Sequence, residues 1–137
     1  MRNIKDTNYS QLKLYTASLL LKVASADNIL RDEEIQTISE ILCNFYKLNK
    51  KTASDLMIEA KRVNDDSIDL YEAGSFVNES LCLQDKIDFI GCIYEVAYAD
   101  NNMHFLERHI INQILNILNI NREQLKKIKD ELRKNLL

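Results

Sequence analysis

The chain has no proline, no tryptophan and only two glycines, Gly74 and Gly91, in 137 residues. That removes the turn vocabulary from which β-hairpins are built and favours helices joined by short polar turns. Two isolated glycines also cannot form a phosphate-cradling loop. Cysteine is scarce and odd in number: Cys43, Cys82 and Cys92 show no C-x-x-C spacing. This predicts reduced core thiols in a cytosolic protein, not a disulfide framework. The two histidines, His104 and His109, share neither a helix face nor a nearby cysteine pair, which argues against zinc. His104 reads as a turn residue and His109 as a surface helical one.

Neither sign of charge dominates, and the net charge is -3. A general nucleic-acid binder needs a basic face that releases counterions, so nucleic acid is not an expected partner. An acidic membrane surface is disfavoured for the same reason. No apolar run approaches the ~20 residues that cross a bilayer. The first eleven residues are polar and carry no apolar signal core. A cytoplasmic location is expected, with no integral membrane segment and with peripheral association left open. Hydrophobic residues at 46% are enough for one sizeable core, and the length suits a single domain over 1–137.

What is present is a stretch that occurs twice. Val23-Ala24-Ser25-Ala26-Asp27-Asn28 is followed by Glu34, and Val96-Ala97-Tyr98-Ala99-Asp100-Asn101 by Glu107. In register, Ile38 matches Ile111, Ile41 matches Ile114, Leu42 matches Leu115 and Phe45 matches Leu118, a constant offset of 73 residues. Leu48-Asn49 then matches Ile120-Asn121 with one residue dropped. The pattern is a duplicated helix–turn–helix unit, over about 12–56 and 85–128. The two copies are expected to pack about a pseudo-twofold axis.

The apolar spacing predicts an all-α fold of about seven helices. The first runs over 9–26, with Leu12, Thr16, Leu19, Leu20 and Val23 on one stripe, and ends at an Asn that tolerates the left-handed turn. The second runs over 32–47, with Asp32, Glu33 and Glu34 in its first turn and Ile35, Ile38, Leu42 and Phe45 inward. Asn49 caps a third helix carrying Ala53, Leu56, Met57, Ala60 and Val63. A fourth spans 68–81 despite Gly74. A fifth, over 84–99, turns Ile87, Ile90, Tyr94 and Ala97 inward. A sixth spans 105–118. Asn121 and Gln124 form a capping box for a seventh, with Leu125, Ile128, Leu132 and Leu136 on its apolar side. The core should include Leu19, Val23, Ile38, Leu42, Ile90, Ala97, Ile111 and Leu115.

Two acidic turns are the candidate sites. Asp27, Asp32, Glu33 and Glu34 fall within eight residues, and Asp100 and Glu107 are the matching pair. Hard cations such as Ca2+ or Mg2+ take oxygen ligands of this sort. The spacing is not an EF-hand, since Ile29, Arg31 and Glu33 stand where its loop needs alternating oxygens. Helix termination with favourable first-turn charge accounts for the same residues and is the favoured reading of the motif alone. The basic residues of the last helix, Lys126, Lys127, Lys129, Arg133 and Lys134, lie beside Asp130 and Glu131 and read as a solvated face. Tyr15, Tyr46, Tyr71, Tyr94 and Tyr98 read as helix-packing residues.

The doubled phrase Ala26-Asp27-Asn28…Glu34 and Ala99-Asp100-Asn101…Glu107, each inside a helical pair, resembles the TerB family of tellurite-resistance proteins. More narrowly it resembles the small stand-alone bacterial members, over about Leu12 to Leu132. The resemblance implies an all-helical fold and an association with resistance to tellurite and other stresses. It also implies metal binding through clustered acidic residues, which by position are Asp27, Glu34, Asp100 and Glu107. Related domains serve as interaction modules in larger proteins, some at the inner membrane face. Asn28 and Asn101 stand where the family usually has glycine, and Phe105 and Leu106 stand where the first repeat has Asp32 and Glu33.

The reading these observations support is a non-enzymatic TerB-like module that binds a protein partner, with a divalent cation as its candidate cofactor. A metal-dependent enzyme and a structural assembly subunit are the alternatives. No nucleophile–base pair supports the enzyme.

Overall fold

A computed structural model describes residues 6–66, 68–99 and 103–136. Among these there are seven α-helices and no strand: α1 (Asp6–Ala24), α2 (Asp32–Tyr46), α3 (Lys50–Asp66), α4 (Leu70–Ser80), α5 (Leu83–Ala97), α6 (Phe105–Ile117) and α7 (Arg122–Leu136).

The first helix is the centre of the fold. It packs against α2, α3, α4, α5 and α6. Tyr15, Thr16, Ala17, Ser18, Leu19, Leu20 and Leu21 are consecutive and all buried. Sequence spacing predicts one stripe, but α1 is covered all round, as a central helix must be. Its polar side chains therefore need partners inside the protein. Thr16 Oγ1 donates to Leu12 O at 2.8 Å and meets the Tyr46 hydroxyl at 2.7 Å. Ser18 donates to Asn64 Oδ1, and Asn64 Nδ2 returns a bond to Ser18 O at 3.2 Å. Lys22 donates to Ile68 O at 2.9 Å. Desolvation lowers the Lys22 pKa, and the negative charges of Asp69 and Asp65 oppose that effect.

Turn chemistry sets the helix ends. The first helix stops two residues earlier than spacing predicts, because its last turn tightens: Ala26 N–H reaches Val23 O at 3.3 Å and Asn28 N–H reaches Ser25 O at 2.9 Å. Asn28 takes the left-handed conformation at φ 65°, as expected. Lys47 ends α2 at φ 56°, and Asn119 follows α6 at φ 58°. In each case an amide reaches back five residues, Leu48 to Cys43 O and Ile120 to Leu115 O, which is Schellman geometry. Asn49 Oδ1 then caps α3 through Thr52 N–H at 2.8 Å. Asn121 and Gln124 exchange bonds of 2.9 and 2.8 Å to open α7, the predicted capping box.

The eight predicted core residues are all buried, and buried apolar side chains from all seven helices form one cluster. Several placements differ from expectation. Ile35 is exposed, because α2 turns Glu34, Ile38, Ile41, Leu42 and Tyr46 inward instead. Ile87 is only half-buried. Cys82 lies exposed at the start of α5, so it is not a core thiol; Cys43 and Cys92 are half-buried, and all three are unpaired. Tyr71 is exposed and packs against nothing in the core. The side chains of Leu132 and Leu136 lie outside the described residues.

The two glycines serve opposite purposes. At Gly74 an added Cβ would lie 2.9 Å from Ile117 Cγ2, so the missing side chain is what lets α4 approach α6. At Gly91 an added Cβ meets nothing within 4 Å. Gly74→Ala should therefore destabilise by about 1–3 kcal/mol through overpacking against a stiff β-branched side chain. Gly91→Ala should stabilise by about 0.5–1 kcal/mol through helix propensity. Urea unfolding of the two variants measures both; equal signs would contradict this packing.

Candidate functional site

Each acidic turn leads into a helix whose third residue is a buried glutamate. In the first, α1 ends, the chain reverses at Asn28, and α2 begins after Arg31. Asp27 Oδ1 accepts the Ile29 N–H at 3.1 Å, an Asx turn that shapes the reversal. Asp27 Oδ2 receives the Arg31 guanidinium at 3.1 Å. Glu34 is the third residue of α2 and is fully buried. Its Oε1 accepts the Arg31 backbone N–H at 3.1 Å, with the guanidinium 3.7 Å away. The expected approach of Asp27 and Glu34 thus occurs through Arg31, which touches both.

In the second turn, Glu107 is the third residue of α6 and is also fully buried. Its Oε1 accepts the His104 backbone N–H at 3.0 Å. His104 stands where Arg31 stands, directly before the helix and three residues ahead of the glutamate. Asp100, with Asn101 and Asn102, lies outside the described residues. Glutamate reaching back to the helix-entry amide is one half of a capping box, and it satisfies an amide that the helix itself leaves open.

Electrostatics connects the two turns. Desolvation pushes the Asp27 pKa up. It is outweighed by the Arg31 hydrogen bond, the Ile29 N–H, the Arg31 charge and the charge of His104, so the net shift is downward. His104, which precedes α6, is the smallest of these influences. Asp32 and Glu33 point to solvent.

Arg31 and His104 are the site residues that residue type alone did not single out. The signal was positional: each falls between the paired acids, four residues after the aspartate and three before the glutamate. Among the described residues, no group of three or more His, Cys, Asp or Glu side chains is arranged to hold a metal ion.

The family model described as tellurite resistance protein TerB matches residues 13–130, which takes in both turns, five complete helices and parts of α1 and α7. The chain belongs to the TerB family. Neither curated proteins nor solved structures give a match. In this TerB chain no described helix is long and apolar enough to cross a membrane. The family's acidic phrase here does structural work on at least one oxygen of each glutamate.

A folded-state pKa below the unfolded value means that Asp27 contributes stability above about pH 4, which is lost as pH falls through its folded value. Asp27→Asn should therefore lower stability at pH 7 and have little effect near pH 2. Glu34→Ala, which frees the Arg31 amide and removes the buried partner of its guanidinium, should cost about 1–3 kcal/mol at pH 7. Denaturant melts at the two pH values test both; a pH-independent loss for Asp27→Asn would refute the assigned cause.

Proposed function

We propose that this TerB chain is a non-enzymatic, cytoplasmic interaction module of the stress (tellurite) response that docks a partner protein at the edge formed by its two acidic turns. The observation that carries this reading is Phe105. It opens α6 with 81% of its surface exposed, and Leu106 beside it is 45% exposed. These two stand where the first repeat carries Asp32 and Glu33. Ile29 at 54% and Tyr98 at 37% belong to the same two turns. Large apolar side chains exposed at these turns favour a protein contact. The reading treats 12–56 and 85–128 as pseudo-equivalent halves of one domain whose outer turns have diverged, one acidic and one apolar.

A photo-crosslinking residue placed at 105 or 106 in cells should give a discrete heteromeric adduct. The same residue at 58, exposed on α3, should not. Equal adducts at all three positions, or none at 105 and 106, would count against docking at this edge.

A second reading places a divalent cation, Ca2+ or Mg2+, among Asp27, Glu34, Asp100 and Glu107. Its support is Glu34 Oε2, which is buried and accepts no hydrogen bond. The donor set fits only in part, because the Arg31 guanidinium already supplies positive charge to Asp27 and Glu34. An ion would have to compete with it. Under this reading, a hundredfold excess of ion over its Kd stabilises the fold by about 2.7 kcal/mol. Asp27→Asn with Asp100→Asn abolishes the gain, and Arg31→Gln increases it. A flat thermal titration at millimolar Ca2+ and Mg2+ removes this reading and leaves the docking edge untouched.

A further inference from the structure

A second surface lies away from the turns, between α2 and α5. Two clefts of about 540 and 430 Å3 adjoin there, sharing Ile41, Asn44 and Glu95 in their walls. The floor is apolar: Ile41 is buried, and Phe45 and Leu48 pack onto the core beneath. Phe45 sits edge-on to Phe89 with ring centroids 6.4 Å apart, so the floor is anchored to α5.

The walls carry negative charge. Asp85, Asp88 and Glu95 fall on one stripe of α5, and Glu40 faces the groove from α2. Among the described residues lining the two clefts, Lys50 at the far end is the one cation. Like charges placed across a groove repel. Desolvation and then the charge of Glu40 raise the Glu95 pKa. Burial, Glu95 and Asp88 push the Cys92 thiol up to about 12, so it stays protonated and adds no charge of its own. On α2 the groove runs from Thr37 to Phe45, about 12 Å at 1.5 Å per residue, and it continues past the helix end to Leu48.

We propose that the α2–α5 groove binds a cationic amphipathic helix of a partner protein, apolar face on Ile41, Phe45 and Leu48, basic flanks against Glu40, Glu95, Asp85 and Asp88. Helix-in-groove recognition uses this combination of apolar floor and complementary rim. An apolar floor gives a hydrated small cation nothing to bind. This surface is independent of the turn edge, so the two can fail separately.

The test uses the whole chain and a labelled fourteen-residue Leu/Lys peptide with leucines at helical spacing. A scrambled peptide of equal composition is the control. Fluorescence anisotropy should show the helical peptide binding at least tenfold more tightly than the scrambled one. Glu40→Lys with Glu95→Lys should weaken it at least tenfold. Glu79→Lys, one such charge reversal on α4, should leave it unchanged, as should Phe105→Ser. Glu95→Gln should weaken binding severalfold while melting at the same or a higher temperature, which separates lost binding from lost folding. Equal binding of the scrambled peptide, equal weakening by Glu79→Lys, displacement by equimolar spermine, or no binding at all would each overturn the proposal.

Discussion

The enclosure of α1 is the constraint on which the rest of the structure depends. Five helices cover it, and no face between Tyr15 and Leu21 is left for water. Polar side chains on and just beyond that stretch must then be answered inside the protein, because an unmet buried donor or acceptor costs about 1–3 kcal/mol. The answers come from particular places: Tyr46 on α2, Asn64 on α3 and the Ile68 carbonyl before α4. These bonds fix the rotation and height of each neighbour on α1. Small residues help, since Ala17 and Ser18 let backbones come near. Gly74 extends the same economy outward, letting α4 reach α6.

That constraint also explains the acidic turns. When α1 ends, α2 must begin within a few residues and pack back on it, so the helix-entry amides are drawn toward the interior. A glutamate at the third helical position brings an acceptor with it, and its burial follows from where the helix starts. The first turn balances Glu34 with Arg31; the second places His104 in the same position. Two carboxylates that look like ligands in sequence are thus also parts of the fold.

Much of this was legible in the chain because it rests on local rules. Asn28, Asn49, Asn121 and Gln124 act at helix ends as their chemistry dictates. Apolar spacing identified Leu19, Ile38, Leu42, Ile90 and Leu115 as core. What was not legible depends on three-dimensional neighbours. One stripe on α1 looks the same in sequence whether one helix or five will cover it. The outward turn of Ile35 follows from Glu34 taking the inner position, which spacing alone would assign to the isoleucine. Arg31 stood out in sequence only as a misfit to an EF-hand loop, although it is the group that joins Asp27 to Glu34. The groove between α2 and α5 had no sequence signal, because Glu40 and Glu95 lie on helices far apart in the chain and meet only after folding.

Departures from the most stable arrangement are where function is best sought. At Asp27 both carboxylate oxygens are met locally, and at Glu34 one is. The larger departures lie elsewhere. Phe105 and Leu106 hold apolar surface in water at the edge of the fold. Glu40 and Glu95 place like charge across a partly desolvated groove, and α1 needs neither pair to be covered. Replacing Phe105 with a polar residue, or either glutamate with glutamine, would remove a local cost without touching the central packing. The cost is not imposed by the fold. A partner that covers the apolar edge, and a cationic helix that fills the acidic groove, would each turn that cost into binding energy.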